Sequence, residues 1–168
     1  VSQRMFVVIY LSQQLNHLRA TGIVDKPWFN ALWFQITWFS CVMGRERWLL
    51  ASCVLLALHF LLVPSAKKEA HNLAPIIAMG IAVDAVLSAV GVFDFGPVLL
   101  PLWLCLLWIA FATTLTRALA FFTGRPWLAA LVGGIGVPFN YAVGAQLGAV
   151  ELPLEPSITA VSLIIVWA

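Results

Sequence analysis

APIIAMGIAVDAVLSAVGVF, residues 74–93, decides the fold. It is an unbroken apolar run with one ionisable side chain, Asp84, near its centre. About 20 apolar residues make roughly 30 Å of α-helix, the thickness of a bilayer's hydrocarbon core. A carboxylate at the middle of such a helix costs on the order of 3 kcal/mol to insert, so it faces a partner, a cavity or a pathway rather than lipid. Gly80, Asp84, Ser88 and Gly91 recur at helical spacing and share one face, which leaves Ile, Val and Leu to the others. The run therefore reads as a membrane-crossing helix with a single polar face.

The rest of the chain agrees. Its 168 residues are 62% hydrophobic and 10% charged, with a mean hydropathy of +0.99. A soluble domain carries about 25% charged residues, so this surface is expected to meet lipid. Six apolar segments can be drawn, at 28–43, 47–63, 74–93, 99–122, 127–149 and 157–168. The first and last are short, which gives an all-α, polytopic transmembrane helical bundle of five or six spans. Turns are expected at Gly44 to Arg47, Pro64 to His71, Asp94 to Pro97, Gly124 to Pro126 and Glu151 to Pro156, with Pro75 and Pro156 opening spans. Two regions follow, an N-terminal arm over 1–27 and a transmembrane domain over 28–168. In the arm, Met5, Val8, Leu11, Leu15 and Leu18 recur on an amphipathic pattern that suits a membrane surface, a partner or the bundle itself. Met5–Leu11 is too short for a signal peptide and lacks a cleavage site, and a chain opening on Val1 is read as lacking its initiator region.

Charge sets the expected orientation. The arm and the second and fourth loops carry Arg4, Arg19, Lys26, Lys67, Lys68 and Arg125, whereas the other loops carry Arg45 and Arg47 beside Glu46, Asp94, Glu151 and Glu155. Basic loops stay cytoplasmic, so the N-terminus is placed in the cytoplasm. Trp28 and Trp127 then fall near the inner interface, and Trp48 and Trp103 near the outer one. Trp33, Trp38 and Trp108 lie deeper, where an aromatic belt does not explain them. A net charge of +2 gives no reason to expect a nucleic-acid partner. Cys41, Cys53 and Cys105 have no metal-ligand spacing and read as small buried hydrophobes.

Two further patterns bear on function. Trp33 and Trp38 are spaced like Trp103 and Trp108, and Gly44-Arg45-Glu46-Arg47-Trp48-Leu49 resembles Gly124-Arg125-Pro126-Trp127-Leu128. Three spans repeated in tandem would form a 3+3 inverted repeat, a transporter plan with sites at the midplane. The fifth segment also carries a small, polar face, with Gly136, Asn140, Gly144 and Gly148. With Gly80 and Gly91, those glycines are candidates for close helix packing, and the two faces alternatively line a cavity. His59 and Arg117 fall about 7 Å inside the cytoplasmic boundary and Asp84 about 15 Å. Arg117 would reach Asp84 or snorkel outward, and His59 would relay protons to Asp84 or make one structural hydrogen bond. Binding or proton-linked candidates are thus Asp84, His59, Arg117, Asn140, Tyr141, Ser88 and Gln35, with Thr113 and Thr114 beside them. No zinc, nucleophile-elbow or phosphate-loop spacing is present, and no cofactor or metal is expected.

The sequence also resembles a known family. Asn30–Val42 (NALWFQITWFSCV), Gly80–Asp84 (GIAVD), Pro101–Leu115 (PLWLCLLWIAFATTL) and Gly133–Gly148 (GGIGVPFNYAVGAQLG) are similar to the small bacterial inner-membrane proteins catalogued as domain of unknown function 2878. Val137 separates Gly136 from Pro138, a small departure from the family's Gly-Pro stretch. The resemblance spans about 30–150 and implies a multi-pass inner-membrane protein of unassigned activity. It also implies a lipid-related role, by genomic association only, and it supplies no catalytic residue.

Three functions remain in play. One is a binding or accessory protein for a lipid-like ligand or a membrane partner, with a bound lipid, another membrane protein or a second copy of the chain as company. The others are a small proton-coupled transporter using Asp84, and an intramembrane lipid-modifying enzyme using His59, Asp84 or Arg117.

Overall fold

A computed structural model describes residues 3–168; Val1 and Ser2 of the expected arm, and the Arg4 side chain counted among its charges, lie outside the described residues. Seven α-helices are found among the described residues. They are α1 (Gln3–Ala20), α2 (Pro27–Gly44), α3 (Leu49–Leu62), α4 (Ala66–Ala89), α5 (Leu102–Leu115), α6 (Pro126–Gln146) and α7 (Pro156–Trp167). Three of them open on proline, whose fixed φ suits the first helical position and whose missing N–H is not needed there. The two longest end alike. Gly91 after α4 and Gly148 after α6 adopt φ of +79° and +71°, and the next N–H reaches back five residues, Val92 to Leu87 and Ala149 to Gly144.

Helices α2 to α7 run alternately between two ends of the bundle. At one end Arg45 donates to the Gly148 carbonyl at 2.6 Å, and Asp94 and Glu151 pair in an isolated antiparallel bridge. At the other, Arg117 reaches Asp25 and Glu69, and the Ala118 N–H lies 3.4 Å from the Asn30 side chain. Helix α5 is central and packs on α2, α3 and α4; α6 packs chiefly on α7. The arm helix α1 lies against α3, where the Arg19 side chain donates to the Leu61 carbonyl. One core cluster gathers Trp38, Cys41, Val42, Trp103, Leu104 and Trp108. A second joins Leu87, Val92, Phe93, Val150 and Leu163 and ties the α6–α7 pair to the end of α4.

Polarity is distributed against the soluble-protein norm. Leu50, Ile165, Trp127 and Phe139 are 67–78% exposed, while Asn30, Thr37, Ser52, His59 and Asp84 are no more than 1% exposed. Helices α4 and α6 are long and apolar enough to cross a membrane. Helices α3, α5 and α7 have 14, 14 and 12 residues, or about 18–21 Å of length, short of a 30 Å hydrocarbon core. Five or six full spans therefore do not follow from helix length.

Several boundaries differ from the sequence reading. Pro75 lies inside α4, which starts at Ala66, so the expected turn Pro64 to His71 is mostly helix. Hydropathy put Lys67, Lys68 and Glu69 in a loop, yet an acidic residue in the first turn favours the helix. The fourth segment is overlong: α5 stops at Leu115, and Ala120–Phe122 is a short 3₁₀ turn. Trp103 is core and not belt, at 4% exposure with its ring edge against Phe95. Of the cysteines, Cys41 is buried, but Cys53 is exposed. The neighbour relations also depart from a two-fold repeat. Helix α5 packs on α3 and α4, whereas its counterpart α2 has no comparable packing on α6 or α7.

Candidate functional site

Asp84 is fully buried on the face of α4 that meets α5. Gly80, one turn earlier, explains how. A Cβ there would overlap the Trp108 indole, so glycine lets that ring lie flat against α4. Trp108 then donates its indole N–H to Asp84 Oδ2 at 2.6 Å, and Tyr141 of α6 donates its hydroxyl to the same oxygen at 2.5 Å. Asp84 Oδ1 is buried with no partner among the described residues, as is the indole N–H of Trp167. Aromatic stacking completes the arrangement. Trp167 of α7 stacks on Trp108 with centroids 5.1 Å apart, and Phe93 stacks on Tyr141 at 4.2 Å. One carboxylate thus holds rings from two other helices, and stacking brings in a third.

Trp108 and Tyr141 line a cleft of about 160 Å³ between the α2–α5 body and α6, one from each side. Phe34, Trp38, Leu104 and Phe111 face it from α2 and α5, and Val137 and Asn140 from α6. Asn140 bonds the Gly136 carbonyl of its own helix at 2.7 Å, which spends part of its polarity locally. The cleft is therefore an apolar, aromatic space, with the Asn140 amide and the Tyr141 hydroxyl as its polar groups beside the indoles. Asp84 stands behind the rings and does not line it.

A second carboxylate organises the opposite end of α4. Glu69 accepts from Arg117 through both oxygens, at 2.8 and 2.6 Å, and lies 2.8 Å from His59 Nε2. Asp25 adds a 3.0 Å contact to Arg117 Nε. Fifteen residues of α4 separate Glu69 from Asp84, about 22 Å along the axis.

The sequence candidates are thus divided. Asp84 and Tyr141 meet, and Asn140 lies nearby on the cleft wall. His59 and Arg117 meet each other's partner Glu69 and not Asp84. Arg117 lies beyond the end of α5, so its depth had been counted from an overlong span. Ser88 is half-buried on the Asp84 face, and Gln35 is exposed. Among the glycines, Gly80 makes room for Trp108, Gly144 has Val150 at van der Waals distance, and Gly136 has open space before it. Gly91 and Gly148 terminate helices instead. Gly133, not among the packing candidates, meets the Trp167 carbonyl, so a Cβ there would clash with α7. Sequence reasoning missed Glu69. Pro64-Ser65 followed by an acidic residue within one turn was the available sign of a helix start.

These features define an all-helical protein with two helices long and apolar enough to cross a membrane, built round an aromatic cleft and a buried aspartate. The chain belongs to the family described as a protein of unknown function, domain of unknown function 2878, which matches residues 27–168. That match extends beyond the 30–150 stretch carrying the resemblance, and takes in α7 and its Trp167. No curated protein and no solved structure matches the chain at a significant level.

Proposed function

We propose that this is an integral membrane protein that binds an apolar, lipid-like ligand in the cleft between the α2–α5 body and α6. The observation carrying the proposal is the cleft itself, with its aromatic walls and Trp108 and Tyr141 fixed from behind by Asp84. An apolar cavity of about 150 Å³ takes up one benzene-sized group. At about 160 Å³, this cleft has room for a ring or a short length of acyl chain, and the remainder of a lipid would extend from it.

Membrane integration is supported by the exposed apolar side chains and the buried polar ones. Two apolar helices alone are weak support. The short helices would need local bilayer thinning or tilted neighbours. The orientation proposed is bacterial inner membrane, multi-pass, with the arm and the Glu69 end cytoplasmic. The basic residues Arg19, Lys26, Lys67, Lys68 and Arg125 favour that side.

Native mass spectrometry of the protein extracted with its lipids tests the function. A retained apolar adduct that Tyr141→Ala or Trp38→Ala removes supports it; a bare chain under the same conditions overturns it. Thiol labelling of single cysteines placed at Lys68 and at Glu151 tests the orientation, since the two must react from opposite sides.

A second reading rests on Asp84 Oδ1, which has no partner among the described residues. A proton taken up there would make Asp84 the coupling group of a transporter. In that case Asp84→Asn abolishes proton-driven flux in proteoliposomes while insertion is kept. The enzyme reading has less support, because Asp84 stands apart from His59 and Arg117.

A further inference from the structure

Helix α1 stands off the bundle. Among its described side chains only Leu15 and Arg19 are half-buried, and Arg19 ties the last turn to the end of α3 through the Leu61 carbonyl. Upstream, Met5–Leu11 is an unbroken hydrophobic run whose side chains are 47–68% exposed. At about 3.6 residues per turn, such a run covers every side of its helix. A partner helix or the bundle itself would cover one side, whereas lipid covers them all. The run makes about 10 Å of helix, the depth to which interfacial helices sink and far less than a span.

Charge around the arm has one sign. Helix α1 contains two arginines and no acid. Lys26, Lys67, Lys68 and Arg125 are exposed at the same end of the bundle and form no ion pair among the described residues. The acids of that end, Asp25 and Glu69, are both held by Arg117. Trp28 and Trp127, 63% and 68% exposed, each follow one of those cations by two residues. Exposed tryptophan beside an exposed cation is the anchoring pattern of a membrane–water interface.

We propose that α1 is a membrane-inserted arm that binds the anionic leaflet on the Glu69 side of the bundle. Met5–Leu11 sinks into the acyl region, and Lys26, Lys67, Lys68 and Arg125 hold phospholipid phosphates beside it. This rests on the reading of the chain as an integral membrane protein. Apolar insertion and attraction to anionic lipid together set the strength of such binding. A second copy is the poorer occupant, because it would cover one side of the run and bring up an arm of the same charge.

The test reconstitutes the full chain at one copy per nanodisc, in phosphatidylcholine with and without phosphatidylglycerol, and follows amide hydrogen exchange. A free helix of this length is marginal in water, so insertion slows its exchange. Amides of residues 5–11 should exchange about tenfold more slowly in the anionic discs, with α4 and α6 alike in both. The variant K26Q/K67Q/K68Q/R125Q should lose that lipid dependence, and Val8→Asp should lose the protection in both lipids. All of these side chains are exposed, so the variants are expected to fold, and exchange of α4 and α6 checks this. Rapid exchange of 5–11 in every disc, protection independent of lipid, or a lipid dependence that survives the quadruple variant overturns the proposal and leaves the membrane reading standing. Protection confined to discs holding two copies assigns the arm to a second copy and overturns it as well. A chain that no disc retains overturns both.

Discussion

Helix α4 carries two acids that meet burial in opposite ways, Asp84 fully buried and Glu69 with its side chain 13% exposed. Asp84 takes two neutral donors on one oxygen, an indole and a phenol that are both part of aromatic stacks, and its other oxygen has no partner among the described residues. Glu69 is satisfied by a guanidinium and an imidazole, with Asp25 on the far side of Arg117. The difference follows depth along the helix. Glu69 lies in the first turn, close to the helix ends and loops that deliver His59, Arg117 and Asp25. Asp84 lies fifteen residues further along α4, packed against α5 and α6, where another charge would carry its own burial cost and neutral donors avoid it. The first centre is built for cohesion, the second for holding aromatic walls in place.

The largest effect should come from breaking the charged centre. Glu69→Gln leaves the Arg117 guanidinium, whose side chain is 9% exposed, without its two-oxygen partner. Removing one partner of a buried pair costs about 3–5 kcal/mol. Chemical unfolding in detergent should show a loss near the lower figure, since Asp25 remains. A loss below about 1 kcal/mol would place this pair with exposed surface bridges.

Gly80→Ala should come next. Its methyl group would occupy the position of the Trp108 ring, and overpacking of this kind costs about 1–3 kcal/mol. The informative readout is more local. Displacing Trp108 breaks its bond to Asp84 and shifts its stack with Trp167, so near-ultraviolet circular dichroism should change more than helix content does. An unchanged aromatic spectrum would mean that Trp108 is not wedged between α4 and the cleft.

Asp84→Asn tests the neutral centre with a smaller perturbation. The amide keeps one acceptor for Trp108 or Tyr141 and introduces donors where donors already converge. Hydrogen bonds between membrane helices are worth about 0.6 kcal/mol on average and up to about 1.7, so a loss of about 1 kcal/mol is expected. Ligand binding in the cleft should weaken by more than that stability loss accounts for, because both walls loosen. Undiminished binding would separate Asp84 from the cleft.

The sequence reached the neutral centre more readily than the charged one, for physical reasons. A carboxylate inside an apolar run is conspicuous, and Gly80 and Ser88 at helical spacing marked the face it uses. Trp108 was visible as a deep tryptophan that an interfacial belt could not explain. Glu69 was hidden because Lys67-Lys68-Glu69 has the composition of a loop, although the backbone there is helical. With Glu69 out of view, His59 and Arg117 had no acid to meet except Asp84. Hydropathy reports where a segment can be buried, and it is silent about which short polar stretches continue the same helix. The all-helical class was legible from the apolar runs, whereas the number of full spans was not, because helix lengths depended on turns such as 116–123 that are mostly apolar.

The smallest predicted effect sharpens the comparison from its outer edge. Asp25 contacts Arg117 at 3.0 Å with its side chain half exposed, whereas Glu69 contacts the same guanidinium nearly buried. Exposed pairs contribute about 0–1 kcal/mol and are screened by salt. Asp25→Asn should therefore cost a few tenths of a kcal/mol at low ionic strength, and the cost should vanish as salt rises. Glu69→Gln should keep most of its cost under the same titration. If both variants respond equally to salt, the Arg117 centre is solvated throughout, and burial no longer distinguishes its two acids.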